Sequence, residues 1–240
     1  MANLLTINNL SKDYLTLSGK IKAIDNITLS INKGDIISII GPSGCGKSTL
    51  LNLISNIDNN YKGIININTN NISYMLQSDS LLPWLSIYDN ARLPSKFNKQ
   101  IDEYYINLLL KKYDLYDFKD KKPNSLSGGM KQRLALIRTL STRPELLLLD
   151  EPFSKLDYQT RLNIEKDVYD LIKENNITTI LVTHDIAEAI SMSNKVIVLT
   201  KRPAKIKNIY NIDLSDDPIK NRSNNNFNYY FNKIWDDLND

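Results

Sequence analysis

A chain of 240 residues, 42% of them hydrophobic, is long enough for one large α/β domain with its own core, or for two small ones. Thirty basic against 27 acidic residues leave a net charge of +3, too small an excess for a partner gripped mainly through its phosphate backbone, so nucleic acid is not an expected partner. Cys45 is the single cysteine; it has no second thiol for a disulfide or a metal cluster, which fits a reducing compartment. The start Met1-Ala2-Asn3-Leu4-Leu5 lacks the basic and long apolar parts of a secretory signal. No apolar run approaches bilayer-spanning length, so the expectation is a soluble chain.

Residues 4–9, 23–31 and 35–40 read as strands, separated by Gly19-Lys20 and by the turn-forming run Asn32-Lys33-Gly34. Tyr14, between the first two, is placed either to stack on an adenine or to pack at a sheet edge. The third strand feeds Gly41-Pro42-Ser43-Gly44-Cys45-Gly46-Lys47-Ser48-Thr49, a glycine, four free positions and then Gly-Lys-Ser. A helix over Lys47 to Asn56 leaves this loop. Such a loop aims backbone N–H groups and a helix N-terminus at one anion. Lys47 adds charge at the β- and γ-phosphates of a nucleotide, and Ser48 offers a hydroxyl to Mg²⁺. Cys45 occupies one of the free positions.

Short strands near Ile64 to Ile67 and Ile72 to Leu76 follow, the second running into Gln77, a neutral amide able to reach Mg²⁺ or an attacking water. From Ile87 to Leu140 the strand pattern gives way to helices, with apolar spacing over Ile101 to Tyr113 marking an amphipathic one. Ser127 reads as the N-cap of a helix beginning Gly128-Gly129-Met130, a second anion-binding arrangement. The run that follows Glu145, Leu146 to Leu149, is all-apolar and fit for a strand buried on both faces, and it ends in Asp150-Glu151. Asp150 is placed to hold Mg²⁺, and Glu151 to take a proton from water attacking a γ-phosphate. Asp157 caps a helix from Tyr158 to Glu174. Ile177 to Val182 is a further buried strand, ending at Thr183-His184-Asp185, where His184 is the only histidine of the sequence. Strands over Val196 to Thr200 and Ile206 to Ile212, a turn at Arg202-Pro203, polar residues Asn221 to Asn226 and a short helix holding Trp235 complete the pattern.

Taken together, these motifs resemble the nucleotide-binding subunits of ATP-binding cassette (ABC) transporters over nearly the whole chain. The resemblance rests on Gly41 to Thr49 as the Walker A loop, Gln77 as the Q-loop, Leu126 to Met130 as the signature and Leu146 to Asp150 as Walker B. Glu151 stands as the adjacent glutamate, Ser154-Lys155-Leu156-Asp157 as the D-loop and His184 as the switch histidine. It implies a P-loop NTPase core with a mixed sheet, an antiparallel β subdomain and a helical insertion subdomain. The core would be drawn from 1–77 and 141–215, the helical part from 78–140, and the tail from 216–240. It further implies an ATPase using ATP and Mg²⁺. Glu151, His184 and Gln77 would be catalytic, with Ser48, Gln77 and Asp150 at the metal. Tyr14 and the loop residues Gly41, Ser43, Gly44, Cys45, Gly46, Lys47, Ser48 and Thr49 would lie on the nucleotide.

The implied assembly is a head-to-tail dimer in which Ser127, Gly128 and Gly129 of one copy meet the γ-phosphate held by the other. Met130 and Lys155 depart from the commonest family pattern. Met130-Lys131-Gln132-Arg133, the run from Leu76-Gln77 to Leu82-Pro83-Trp84, and Lys201-Arg202-Pro203 are similar to the subgroup serving nitrate, taurine and aliphatic sulfonate importers. The implied partners are a transmembrane permease, whose helix would enter a groove over Ser78 to Pro94 with Leu81, Leu82 and Trp84 as anchors or as core, and an extracytoplasmic solute-binding protein. The implied location is the cytoplasmic face of the cell membrane. The rival reading, an ABC ATPase of a soluble assembly or repair machine, leads one to expect large insertions or a second cassette, and this sequence has neither.

Overall fold

A computed structural model describes residues 3–17, 19–97, 102–214 and 217–239; Ile101, read as the first position of an amphipathic helix, lies outside the described residues, as do Met1 and Ala2. Two sheets organise the chain. In the smaller, β1 (Asn3–Thr16) pairs antiparallel with β2 (Gly19–Asn32) on one edge and with β4 (Lys62–Ile67) on the other. The larger runs in the order β5 (Ile72–Met75), β6 (Leu146–Asp150), β7 (Thr178–Val182), β3 (Ile36–Ile40), β8 (Lys195–Leu199) and β9 (Ile206–Asn211). Its pairs are parallel except β8 with β9.

Leucine favours helices over strands by less than about 1 kcal/mol, whereas burying its side chain contributes roughly 1.5–3 kcal/mol, so burial decides that the leucine run forms β6. Alternate residues face opposite layers. Ile37, Ile39, Leu146, Leu148, Ile180 and Val182 pack toward α1 (Lys47–Ile54) and the small sheet. Ile36, Leu147, Leu149 and Leu181 pack in the layer that contains α4 (Gly128–Leu140) and α5 (Tyr158–Glu174). This two-sided burial explains why the central parallel strands β3, β6, β7 and β8 are mainly apolar rather than alternating.

The register positions the site. Ile39 lies beside Val182, Val182 beside Asp150, and Leu149 beside Met75. Continuing these rows, Gly41, Thr183-His184, Asp150-Glu151 and Gln77 all leave the carboxyl edge of the sheet, where α/β folds bind ligands.

The hairpin is longer than its sequence pattern indicates: β1 and β2 reach Thr16 and Gly19, carrying Tyr14 within a strand. Register shifts occur after Ile7, Leu10 and Lys12, and Asn9 and Asn26 adopt positive φ. Each bulge interrupts the two-residue alternation on which strand reading depends. The first helix ends at Ile54, two residues earlier than expected, with Asn56 in the left-handed region just beyond.

Two helices, α2 (Ile87–Phe97) and α3 (Glu103–Lys112), pack against α4. Asp102 caps α3 by accepting from the Tyr105 N–H at 2.9 Å. A helix not anticipated, α6 (Ile186–Met192), follows His184 directly. Asp185 accepts from the Glu188 N–H at 3.1 Å to cap it, and the Asp-x-x-Glu spacing was the available signal. The short α7 (Pro218–Asn221) and α8 (Phe227–Asn239) close the chain. Among the described residues no helix is long and apolar enough to cross a membrane.

Candidate active site

The phosphate loop leaves β3 at Gly41 and enters α1 at Lys47. Its curvature requires φ of +70° at Gly44 and +130° at Gly46. A side chain at Gly46 would be strained and would also bring its Cβ to 3.1 Å from the Ala23 carbonyl. No side chain caps α1, so its first N–H groups stay available to an anion. The Cys45 N–H donates to the Pro42 carbonyl at 3.2 Å. The Cys45 side chain is buried, and burial pushes its thiol pKa up, so it is a neutral packing group rather than a nucleophile. Lys47 is 7% exposed, and its ammonium donates to the Gly41 and Pro42 carbonyls at 2.7 and 3.1 Å. Those bonds spread the lysine charge across the loop floor.

Asp150 closes β6 and is buried. Burial raises its carboxyl above the usual range, opposed by a hydrogen bond from Ser48; the neighbouring Glu151 charge raises it further. The Tyr74 hydroxyl also donates to Asp150 Oδ2 at 3.4 Å. A carboxylate and a hydroxyl converging beside a phosphate loop form an oxygen donor set suited to Mg²⁺ with phosphate oxygens. Among the described residues no cluster of three or more His, Cys, Asp or Glu could hold a metal by itself. Glu151, one residue on, adopts φ +50°. Its Oε2 lies 3.4 Å from His184 Nδ1, with the histidine side chain 66% exposed.

These groups border a cleft of about 820 Å³, within the range of nucleotide-sized sites. Ser43, Gly44, Gly46, Lys47, Ser48 and Thr49 line it from the loop, Tyr14 from the hairpin, and Gln77, Glu151 and His184 from the strand ends. Gly41, Cys45 and Asp150 lie behind this lining. Tyr14 is half-exposed: its hydroxyl donates to Asp58 Oδ2 at 3.5 Å, and the Lys12 ammonium lies 4.8 Å from its ring centre. Ser127, Gly128 and Gly129 are not brought to the cleft. Ser127 is exposed and caps α4, accepting from the Met130 N–H at 3.3 Å.

Arg202 was not expected in the site: in the sequence it reads as part of a turn and of the subgroup-like run Lys201-Arg202-Pro203. Its Nε and Nη2 donate to the Gly44 carbonyl at 3.1 and 2.6 Å, and it lines the cleft. Its position follows from the pairing of β8 with β3, which periodicity does not reveal.

A phosphate loop on the central strand, with acids and a histidine on the next two strand ends, defines a P-loop nucleotide hydrolase. The sequence profile described as ABC transporter matches residues 24–154, and the chain belongs to that family; it is an ATPase. It is 40% identical, over 98% of its length and 95% of the relative's, to the uncharacterised ABC transporter ATP-binding protein YtlC of Bacillus subtilis. It is 36% identical, over 85% of its length and 84% of the relative's, to the aliphatic sulfonates import ATP-binding protein SsuB of Bacillus cereus. The ATP-binding cassette MJ0796, solved as a dimer in a post-hydrolysis state with ADP and Pi, superposes with a TM-score of 0.79. That match has 30% identity and covers 87% of this chain and 99% of the other.

Proposed function

We propose that two copies of this chain, joined head to tail around two ATP molecules, drive import of a small anion through a separate permease. One observation carries the dimeric part. The cleft has its phosphate loop, Glu151 and His184, while the chain's own Ser127 stands exposed outside it. A site with every element except its signature is completed by a second copy, and the dimeric MJ0796 cassette supports this arrangement. Ser127, Gly128 and Gly129 of one copy then face the γ-phosphate held by the other.

Within each site the loop N–H groups and Lys47 hold the phosphates, and Tyr14 stacks on the adenine. Ser48, Asp150 and Gln77 would hold Mg²⁺, which when bound would neutralise phosphate charge. Glu151 takes a proton as water oxygen bonds to the γ-phosphorus. The bond to the β–γ bridging oxygen breaks, and ADP leaves with that electron pair. His184, beside Glu151, orients the same water and γ-phosphate. Loss of the γ-phosphate removes the bridge between copies, and the dimer opens.

The permease contact falls on the segment from Ser78 to Pro94 in the helical part, residues 78–140. There Trp84 is 67% exposed, while Leu81 packs against the core, leaving Trp84 as the anchor. The chain thus works at the cytoplasmic face of the membrane, with an extracytoplasmic protein delivering solute. Similarity to the Bacillus cereus protein supports an alkanesulfonate as the anion. Vesicles holding this chain with its co-purified permease and solute-binding protein test the proposal. ATP-driven uptake of labelled ethanesulfonate, abolished by Glu151→Gln, is expected; absence of ATP-driven uptake of any small anion would reject it.

A further inference from the structure

Glu151 is an unusual residue to find at φ +50°, because a long side chain in the left-handed region persists only where its surroundings hold it. Three groups do so. The Glu151 N–H donates to the Val182 carbonyl at 2.8 Å, which extends the β6–β7 pairing by one residue. The Glu151 carbonyl accepts from Ser154 Oγ at 3.1 Å and from Gln132 Nε2 at 3.1 Å. Gln132 is 2% exposed, and the other end of its amide accepts the Lys155 N–H at 2.9 Å. One buried amide therefore ties both ends of the segment from Glu151 to Lys155. Such a group leaves an unsatisfied partner when removed.

The structure assigns Gln132 as a positioning residue for Glu151. It sits in α4, the helix whose first residues are Gly128 and Gly129. Its bond to the Glu151 carbonyl fixes the backbone from which the carboxylate reaches toward His184. Because α4 presents Ser127 to the partner's nucleotide and Glu151 serves the chain's own, Gln132 couples seating of one site to alignment of the base in the other. This inference rests on Glu151 being the base.

The departure at Lys155 fits the same arrangement. Only its backbone N–H meets Gln132, and its ammonium turns away to both carboxylate oxygens of Asp79 at 3.0 Å. Arg138 of α4 donates to the Asp79 and Ser80 carbonyls at 2.8 Å each. The Gln77 loop, the D-loop and α4 are thereby fastened together, and a large side chain at 155 leaves the Gln132 bonds intact.

Two variants separate positioning from packing. Gln132→Met removes both polar ends, whereas Gln132→Glu keeps an acceptor for the Lys155 N–H and removes the donor to the Glu151 carbonyl. Each is to be made alone and with Glu151→Gln, and read by single-turnover ATP hydrolysis, equilibrium ATP binding and thermal unfolding. Both should slow hydrolysis about tenfold, as misalignment of a reacting group does, with ATP affinity held within about twofold. Neither should slow it further when Glu151 is already Gln. A full-rate Gln132→Glu, or slowing that adds in the Glu151→Gln background, overturns the assignment while leaving the base intact. Near-normal hydrolysis by Glu151→Gln alone overturns both.

Discussion

Between Asp150 and Glu151, adjacent in sequence, the fold divides two kinds of work. Asp150 is 3% exposed and held by Ser48 and Tyr74, which suits the metal-ligand role proposed for it. Glu151 turns through positive φ so that its carboxylate meets His184 at the cleft, where a proton can be moved. Replacing Glu151 by Gln keeps the shape and removes the basicity. Turnover in a coupled ATPase assay should fall by roughly 10²-fold or more, while ATP affinity measured by a fluorescent nucleotide stays unchanged. Near-normal turnover would remove Glu151 from the proposed role. At this scale the sequence was highly legible, since Lys47, Ser48, Glu151 and His184 are marked by a glycine pattern and by strand ends. Arg202 and Gln132 were not marked as site residues, because each acts through a carbonyl, of Gly44 or of Glu151, and any residue type at those positions supplies one.

Helix α4 belongs to the same chain as the cleft yet points its N-terminus elsewhere. Ser127→Arg, placed there, should prevent the ATP-dependent dimer seen by sedimentation without weakening ATP binding to the monomer. Loss of monomer binding would contradict a role in trans. Helix α6 makes a different prediction. Glu188 is buried on it, and that burial, followed by the charges of Glu165 and Asp185, raises its carboxyl well above the usual value of about 4.5. The folded state therefore keeps a proton that the unfolded chain releases, and stability falls as pH rises from about 4.5 through the folded value. Glu188→Gln removes that slope, worth at most about 1.4 kcal/mol per pH unit, although Glu165, raised in the same direction, leaves part of it. Urea unfolding between pH 5 and 8 should be flatter for the variant; parallel curves would reject the burial argument. The parallel strands were legible because two-sided burial leaves continuous apolar runs, whereas bulges hid the length of the hairpin and α6 was too short to show a period.

For the whole molecule, sheet order brings the ends of β5, β6, β7 and β3 to one edge although 143 positions separate Gly41 from His184. Their order along the chain was legible, but their adjacency came from the registers. The same architecture keeps the cleft and the exposed Ser127 on separate surfaces, and the shared site proposed from this dictates the most direct test. Light scattering on the Glu151→Gln chain, which binds ATP without consuming it, should show the mass double from 27.5 kDa when ATP and Mg²⁺ are added and return when ADP replaces ATP. A chain saturated with ATP that remains at the monomer mass would contradict the shared-site account.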